Sequence, residues 1–136
     1  MNIIKDTINW CKGEIFEGRM ILLFGILCLL ITFSFWKFGA MPSGKAFVIP
    51  LLIVSLLLIG TGISMNLSNQ KRITQYKAAY TADSQQFVKN EIQRTESFIR
   101  WYPAIRYIGA AILIIGLLIF LFTVSPLWKS ISLCLM

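Results

Sequence analysis

Three long stretches of the chain carry no charged residue, and this pattern limits the fold more than any other feature. Seventeen uncharged residues lie between Arg19 and Lys37, 25 run from position 46 to position 70, and 22 run from Tyr107 to Trp128. A helix needs about 20 mostly apolar residues to cross a hydrocarbon core of about 30 Å. Segments that enter lipid form helices because lipid cannot pair free backbone N–H and C=O groups. The sequence therefore predicts an all-α integral membrane protein with three transmembrane helices.

The composition excludes several other classes of protein. Of the 136 residues, 57% are hydrophobic and 14% are charged, against about 25% charged residues in an average soluble domain. There is no histidine, and the three cysteines form no C-x-x-C pair. Nucleotide-binding glycine motifs and the H-E-x-x-H zinc motif are missing as well. We therefore expect no cofactor, no metal site and no disulfide scaffold, and we recognise no family in the chain.

The predicted segments follow one another in a simple order. They are an amphipathic interfacial helix at 1–18, a first transmembrane helix at 19–38, a second at 46–66, a cytoplasmic helical hairpin or surface helix at 67–103, a third transmembrane helix at 104–128 and a tail at 129–136. The tail is apolar and short. It is either an interfacial helix or the start of a truncated fourth span, in which case the chain holds the first three helices of a four-span bundle.

The first segment has the apolar spacing of a helix. Ile4, Ile8, Cys11 and Ile15 recur at i, i+4, i+7 and i+11, which places them on one stripe. Gly18 is expected to end this helix. Such a helix lies in the headgroup plane or presents a surface to a partner. We expect the cysteines to be small apolar fillers, with lipid modification of Cys11 as the alternative.

The segment between the second and third spans is expected to hold two helical pieces. The second span continues as a helix, because Ile73 and Tyr76 repeat at helical spacing, and a break follows near Thr81. Asp83 and Gln86 then form a capping box, in which the side chain of each residue accepts a hydrogen bond from the backbone N–H of the other. The new helix has one apolar face, formed by Val88, Ile92, Thr95, Ile99 and Tyr102. Trp101 to Pro103 are expected to turn the chain into the third span.

Basic residues predict the orientation. Ten lysines and arginines lie on the side of the N-terminus and the 66–106 segment, and three lie on the other side. The side with more basic residues in short loops is cytoplasmic, and a bacterial plasma membrane is the predicted location. Tryptophans are expected to anchor both interfaces, with Trp10 and Trp101 inside and Trp36 and Trp128 outside. The predicted surface for lipid headgroups or a partner consists of Lys71, Arg72, Lys77, Lys89, Arg94, Arg100 and Arg106.

Small residues recur inside the predicted spans, whose only charged residues, Arg19, Lys37 and Arg106, lie near their ends. Small side chains let helices approach closely in lipid. The predicted helix-packing residues are Gly25, Cys28 and Thr32 in the first span, Gly60, Ser64 and Ser68 in or after the second, and Gly109, Gly116 and Thr123 in the third. They pack the chain's own bundle or form a seam for another protein.

These features favour a non-enzymatic function. We expect a small subunit or scaffold of a membrane complex, whose partners are the lipid bilayer and a membrane protein or a second copy of the chain, and not nucleic acid. The alternative is a homo-oligomeric channel, holin or exporter. A lipid-modifying enzyme is a third possibility. It would need a carboxylate near the inner boundary, where the acids are Glu14, Glu17, Glu91 and Glu96.

Overall fold

The computed structural model describes residues 3–40 and 42–136, so Met1, Asn2 and Met41 lie outside the described residues, including the first two of the predicted 1–18 helix. Within this part of the chain, 94% of the residues are helical and none is in a strand. The helices are α1 (Ile3–Phe38), α2 (Pro42–Ala46), α3 (Val48–Ala82), α4 (Ser84–Phe122) and α5 (Pro126–Leu135). The all-α prediction is confirmed.

Three helical stretches are long and apolar enough to cross a membrane among the residues described. They are α1, α2 with α3, and α4, and their most apolar windows have mean hydropathies of 2.2, 2.6 and 2.5. At 1.5 Å per residue, α1, α3 and α4 are each more than about 50 Å long. Each therefore exceeds the roughly 30 Å hydrocarbon core and has room for a part outside it.

Two expected boundaries do not occur. α1 continues through Gly18 without a break, and α4 continues through Pro103. Gly18 is buried inside the helix and does not take the positive φ of a helix-ending glycine, because its missing side chain is used for close packing against α3. Pro103 removes one N–H donor from α4, and the helix nevertheless runs on to Phe122.

The expected break near Thr81 lies at Asp83, which alone separates α3 from α4. The Asp83 carboxylate accepts hydrogen bonds of 3.0 Å from the backbone N–H groups of Gln85 and Gln86, as a helix N-cap does. The other half of the predicted capping box is missing. The Asp83 N–H already donates to the Ala79 carbonyl at the end of α3, and the Gln86 amide donates to Asn90.

The chain forms two compact units. The first, which we call the polar unit, comprises residues 3–22 and 60–103 among those described. Thr7, Cys11 and Gly18 of α1 are buried and Glu14 is half-buried, and these positions are spaced by four, three and four residues. The matching positions on α3 alternate in the same way, at Gly62, Met65, Asn69, Arg72 and Tyr76. The mean spacing on α3 is 3.5 residues. Cys11 and Gly18 of α1 are likewise seven residues apart, as in a left-handed helix pair.

The second unit, which we call the apolar unit, comprises residues 23–59 without Met41 and residues 104–136. Here Gly25 of α1 lies against Leu58 and Ile59 of α3, where an added Cβ would come within 3.1 Å of both side chains. Thr32 and Ser55 are buried, and each hydroxyl donates to a carbonyl of its own helix. The close approach of α1 and α3 therefore leaves neither of these two hydroxyls without a hydrogen-bond acceptor.

α5 folds back within the apolar unit. The Ser130 hydroxyl, which is fully buried, lies 2.9 Å from the Ala46 carbonyl oxygen and donates to it. At the other end of α5, the Met136 side chain covers Gly116 of α4. The tail is therefore helical and packed on its neighbours, and whether it begins a fourth span stays a prediction.

The predicted packing residues divide into two groups. Gly25, Thr32 and Gly116 are buried, and Cys28 and Thr123 are half-buried. Gly60, Ser64, Ser68 and Gly109 are exposed, and among the described residues nothing lies within 4 Å of a Cβ on Gly60 or Gly109. A step of four residues rotates by about 40° around a helix, whereas a step of seven drifts by only about 20°. The buried small residues of α3 are accordingly Ser55, Gly62 and Asn69.

Candidate functional site

Arg94 connects the three helices of the polar unit. Its guanidinium carbon lies 5.6 Å from the ring centre of Trp10 on α1 and 5.7 Å from that of Tyr76 on α3. Both distances are within the range of a cation–π contact. Arg94 is itself part of α4, so one planar cation contacts an aromatic ring on each of the other two helices.

The Glu91 carboxylate neutralises this cation. Arg94 donates to one oxygen of Glu91 from Nη2 at 2.8 Å and from Nε at 3.2 Å. Glu91 is 9% exposed, and a buried carboxylate needs a partner of this kind. Burial alone would lower the pKa of Arg94, but the hydrogen bond to Glu91 and the nearby acidic groups raise it overall. Arg94 therefore remains charged, and its bonds to Glu91 on the same helix fix the position of the guanidinium beside Trp10 and Tyr76.

A second ion pair joins α1 to α3. Nη1 of Arg72 lies 3.8 Å from the Glu14 carboxylate and 3.5 Å from the side-chain oxygen of Asn69. These are long contacts between partly exposed groups, which contribute at most about 1 kcal/mol. These contacts chiefly determine the register of the helix pair, because they fix which turns of α1 and α3 face each other.

Cys11 lies between these two ion pairs and is 4% exposed. Burial raises the pKa of the Cys11 thiol, and the Glu14 carboxylate raises it further. Burial likewise raises the pKa of the Tyr76 hydroxyl. A thiol with a raised pKa and little exposure is a poor nucleophile, so the structure favours the filler interpretation of Cys11 over lipid modification.

A groove of about 460 Å³ lies between α1 and α4 in the polar unit. Its walls are formed by Ile3, Thr7 and Trp10 of α1 and by Val88, Ile92 and Thr95 of α4. Its remaining lining residues are all acidic: Asp6, Glu91 and Glu96. Trp10 is 44% exposed and Ile92 is 53% exposed. The groove is thus an apolar trough with carboxylates and no lysine or arginine in its lining.

Aromatic packing holds the walls of this groove in place. The Trp10 ring meets Phe98 of α4 edge-on, with centres 6.3 Å apart. Phe87 of α4 is buried, and its ring meets Tyr76 and Tyr80 of α3 edge-on, each at 5.7 Å. Contacts of this geometry are favourable beyond the area they bury, so α4 is attached to both α1 and α3.

Two of the predicted surface residues also make contacts inside the polar unit, although the Arg72 side chain is 43% exposed and the Arg94 side chain is 40% exposed. Arg72 and Arg94 are engaged in the packing of the polar unit, whereas the other five basic residues are exposed: Lys71, Lys77, Lys89, Arg100 and Arg106. Trp36, Trp101 and Trp128 are each more than half exposed, while Trp10 forms part of the groove. Within the described residues, no three His, Cys, Asp or Glu side chains are grouped to hold a metal ion.

Sequence reasoning missed the groove because it treated α1 and α4 separately. The Val88, Ile92 and Thr95 face of α4 was predicted, but its counterpart on α1 was not. The available signal was the spacing of Ile3, Thr7 and Trp10 at i, i+4 and i+7, a second stripe beside the one through Cys11. Comparison of the chain with protein-family models, with curated proteins and with solved structures found no match.

Proposed function

We propose that the chain is a non-enzymatic membrane subunit or scaffold that offers exposed helix faces to a larger complex. The observation that supports this most directly is the packing of α4 between residues 104 and 122. Gly116 is the only buried residue between positions 104 and 122. This stretch belongs to a helix that is long and apolar enough to cross a membrane. This half of α4 makes few contacts with its own chain and is free to pack against another protein.

The small residues of α4 indicate where such a partner would approach. Lipid is as apolar as leucine, so spans associate through close backbone approach and not through the hydrophobic effect. Met136 covers Gly116, whereas Gly109 has open space around its Cβ position. The face that contains Gly109 is therefore the proposed contact with the span of a partner.

The acidic residues of the polar unit also favour a structural function. Of the four carboxylates that a lipid-modifying enzyme could use, Glu14 pairs with Arg72 and Glu91 pairs with Arg94. Both pairs join or support helices. The other two, Glu17 and Glu96, lie on exposed positions of α1 and α4.

Association is tested on the full-length protein, extracted from its native membrane in mild detergent and weighed by native mass spectrometry. We expect a foreign membrane protein at fixed stoichiometry. Gly109→Leu should release it, whereas Gly13→Leu should not, because Gly13 also has open space around its Cβ position but lies in the polar unit. A homo-oligomer would favour the channel or exporter alternative, and a monomer that carries only lipid would contradict both.

The proposed location is a bacterial plasma membrane, with the N-terminus and residues 66–106 in the cytoplasm. The excess of basic residues on that side supports this orientation. Lys45 and Lys77 are both exposed and lie on opposite sides in the proposal. In a variant without native cysteines, a membrane-impermeant maleimide should label Lys45→Cys in intact cells and Lys77→Cys only after permeabilisation. The reverse pattern would invert the topology.

A further inference from the structure

The groove between α1 and α4 has the shape of a vacant helix position. Ile3, Thr7 and Trp10 form one ridge, and Val88, Ile92 and Thr95 form the other, each at helical spacing. Two such ridges with a trough between them are what an amphipathic helix packs into. Each ridge spans eight residues and is about 10 Å long, so the trough accommodates about two turns of a further helix.

The charged residues that line the groove indicate whether a cationic or an anionic partner could bind there. The chain has a net charge of +7, yet three of its six acidic residues line this groove, and no basic residue does. Glu91 is neutralised by Arg94. Asp6 and Glu96 are exposed, and neither is in an ion pair within residues 3–40 and 42–136. Two uncompensated carboxylates on an apolar trough attract a cationic partner and repel an anionic one.

The same charges argue against two other occupants. An anionic lipid surface would meet the carboxylates of Asp6 and Glu96, so this face would not lie on the membrane through electrostatic attraction. A second copy that used the same groove in a two-fold dimer would place these carboxylates opposite their own copies, which is unfavourable.

We propose that this groove binds a basic amphipathic helix of a partner protein. The apolar face of that helix rests on Trp10 and Ile92, and its lysine or arginine side chains pair with Asp6 and Glu96. The inference rests on the proposed function, because it names the class of segment by which a partner of this membrane subunit engages the polar unit.

The test uses the full chain in nanodiscs of phosphatidylcholine, which has no net charge, and an 18-residue amphipathic peptide of leucine and lysine as the probe. Replacing Trp36, Trp101 and Trp128 by phenylalanine leaves Trp10 as the single fluorescent reporter in the groove. We expect a saturable change in Trp10 emission that empty nanodiscs and a matched leucine–glutamate peptide do not produce. The double variant Asp6→Asn with Glu96→Gln should raise Kd about tenfold, which corresponds to about 1.4 kcal/mol.

Glu17→Gln is the matched control, since it removes an exposed α1 carboxylate outside the groove, and it should leave Kd within about twofold. Circular dichroism would verify that the variants are folded. The proposal is overturned if the double variant binds like the unaltered chain, if the peptide gives no saturable signal, or if phosphatidylglycerol nanodiscs alone shift the Trp10 emission. Peptide binding with no foreign partner in native mass spectrometry would reject the proposed subunit function and leave the groove assignment intact.

Discussion

A Cβ atom added to Gly62 would lie 2.7 Å from the carbonyl oxygen of Gly18. At this point, α1 and α3 are in backbone contact, and the nearest atoms cannot move away as the end of a flexible side chain can. The next heptad positions carry Cys11 and Asn69, which are also buried. The small residues thus permit a close helix pair, whose remaining seam positions hold the ion-paired side chains of Glu14 and Arg72.

The first prediction compares two glycines of α3 that lie two residues apart. Gly62→Ala should destabilise the protein by about 2 kcal/mol, because the methyl group forces the two backbones apart. Gly60→Ala should be neutral or stabilise by up to about 1 kcal/mol, because its Cβ meets open space and alanine favours the helix. Thermal unfolding in detergent would measure both. Equal effects of the two substitutions would contradict the proposed contact.

The sequence predicted the helices well because their signal is local. Uncharged stretches of sufficient length require helices in lipid, and the Asp83 cap follows from a single side chain and two N–H groups. It predicted helix ends less well. Gly18 and Pro103 are both residues that commonly mark the end of a helix. At Gly18 the helix continues, because this residue packs against Met65 and Asn66 of α3.

The candidate site could not be predicted from one helix at a time. Arg94 has the sequence environment of a solvated basic residue, yet it lies between Trp10 and Tyr76, which are separated by 66 residues in the chain. Its position depends on three helices that meet at one level. Likewise, the stripe of Gly60, Ser64 and Ser68 was chosen with a period of four, whereas the paired helices select a period of 3.5.

The second prediction concerns the cation at the centre of the polar unit. Arg94→Ala should destabilise the protein by about 2–3 kcal/mol, because it leaves the buried Glu91 carboxylate without its partner. Arg94→Lys keeps the charge but loses the planar contact with both rings, and a cost of about 1 kcal/mol is expected. Lys89→Ala, an exposed change on the same helix, should stay within about 0.5 kcal/mol. Chemical unfolding followed by circular dichroism would measure the three values.

If Arg94 instead were a headgroup-binding residue, the order of effects would differ. Arg94→Ala would then leave the unfolding free energy unchanged and would weaken binding to anionic vesicles to the same degree as Lys89→Ala. The two substitutions thus distinguish a cation that stabilises the packed helices from one that binds lipid headgroups.

The third prediction separates the two halves of the capping box. Asp83→Ala should cost about 1 kcal/mol, because the N–H groups of Gln85 and Gln86 lose their acceptor. Gln86→Ala should have little effect, because its side chain donates to Asn90 and not to the Asp83 backbone. Hydrogen exchange at residues 85 and 86 should accelerate in the first variant only. Equal acceleration in both would indicate a complete capping box.

The fourth prediction follows from the raised pKa of the Cys11 thiol. The folded state holds this proton more tightly than the unfolded state, so its contribution to stability is present below the unfolded pKa and is lost as the pH rises through the folded pKa. The unfolding free energy should therefore decline above about pH 9, near the ordinary pKa of 9.0. In a background with alanine at Cys28 and Cys134, Cys11→Ala should make this decline shallower. Parallel pH curves for the two proteins would show that the thiol titrates alike in the folded and unfolded states and is not buried in the seam.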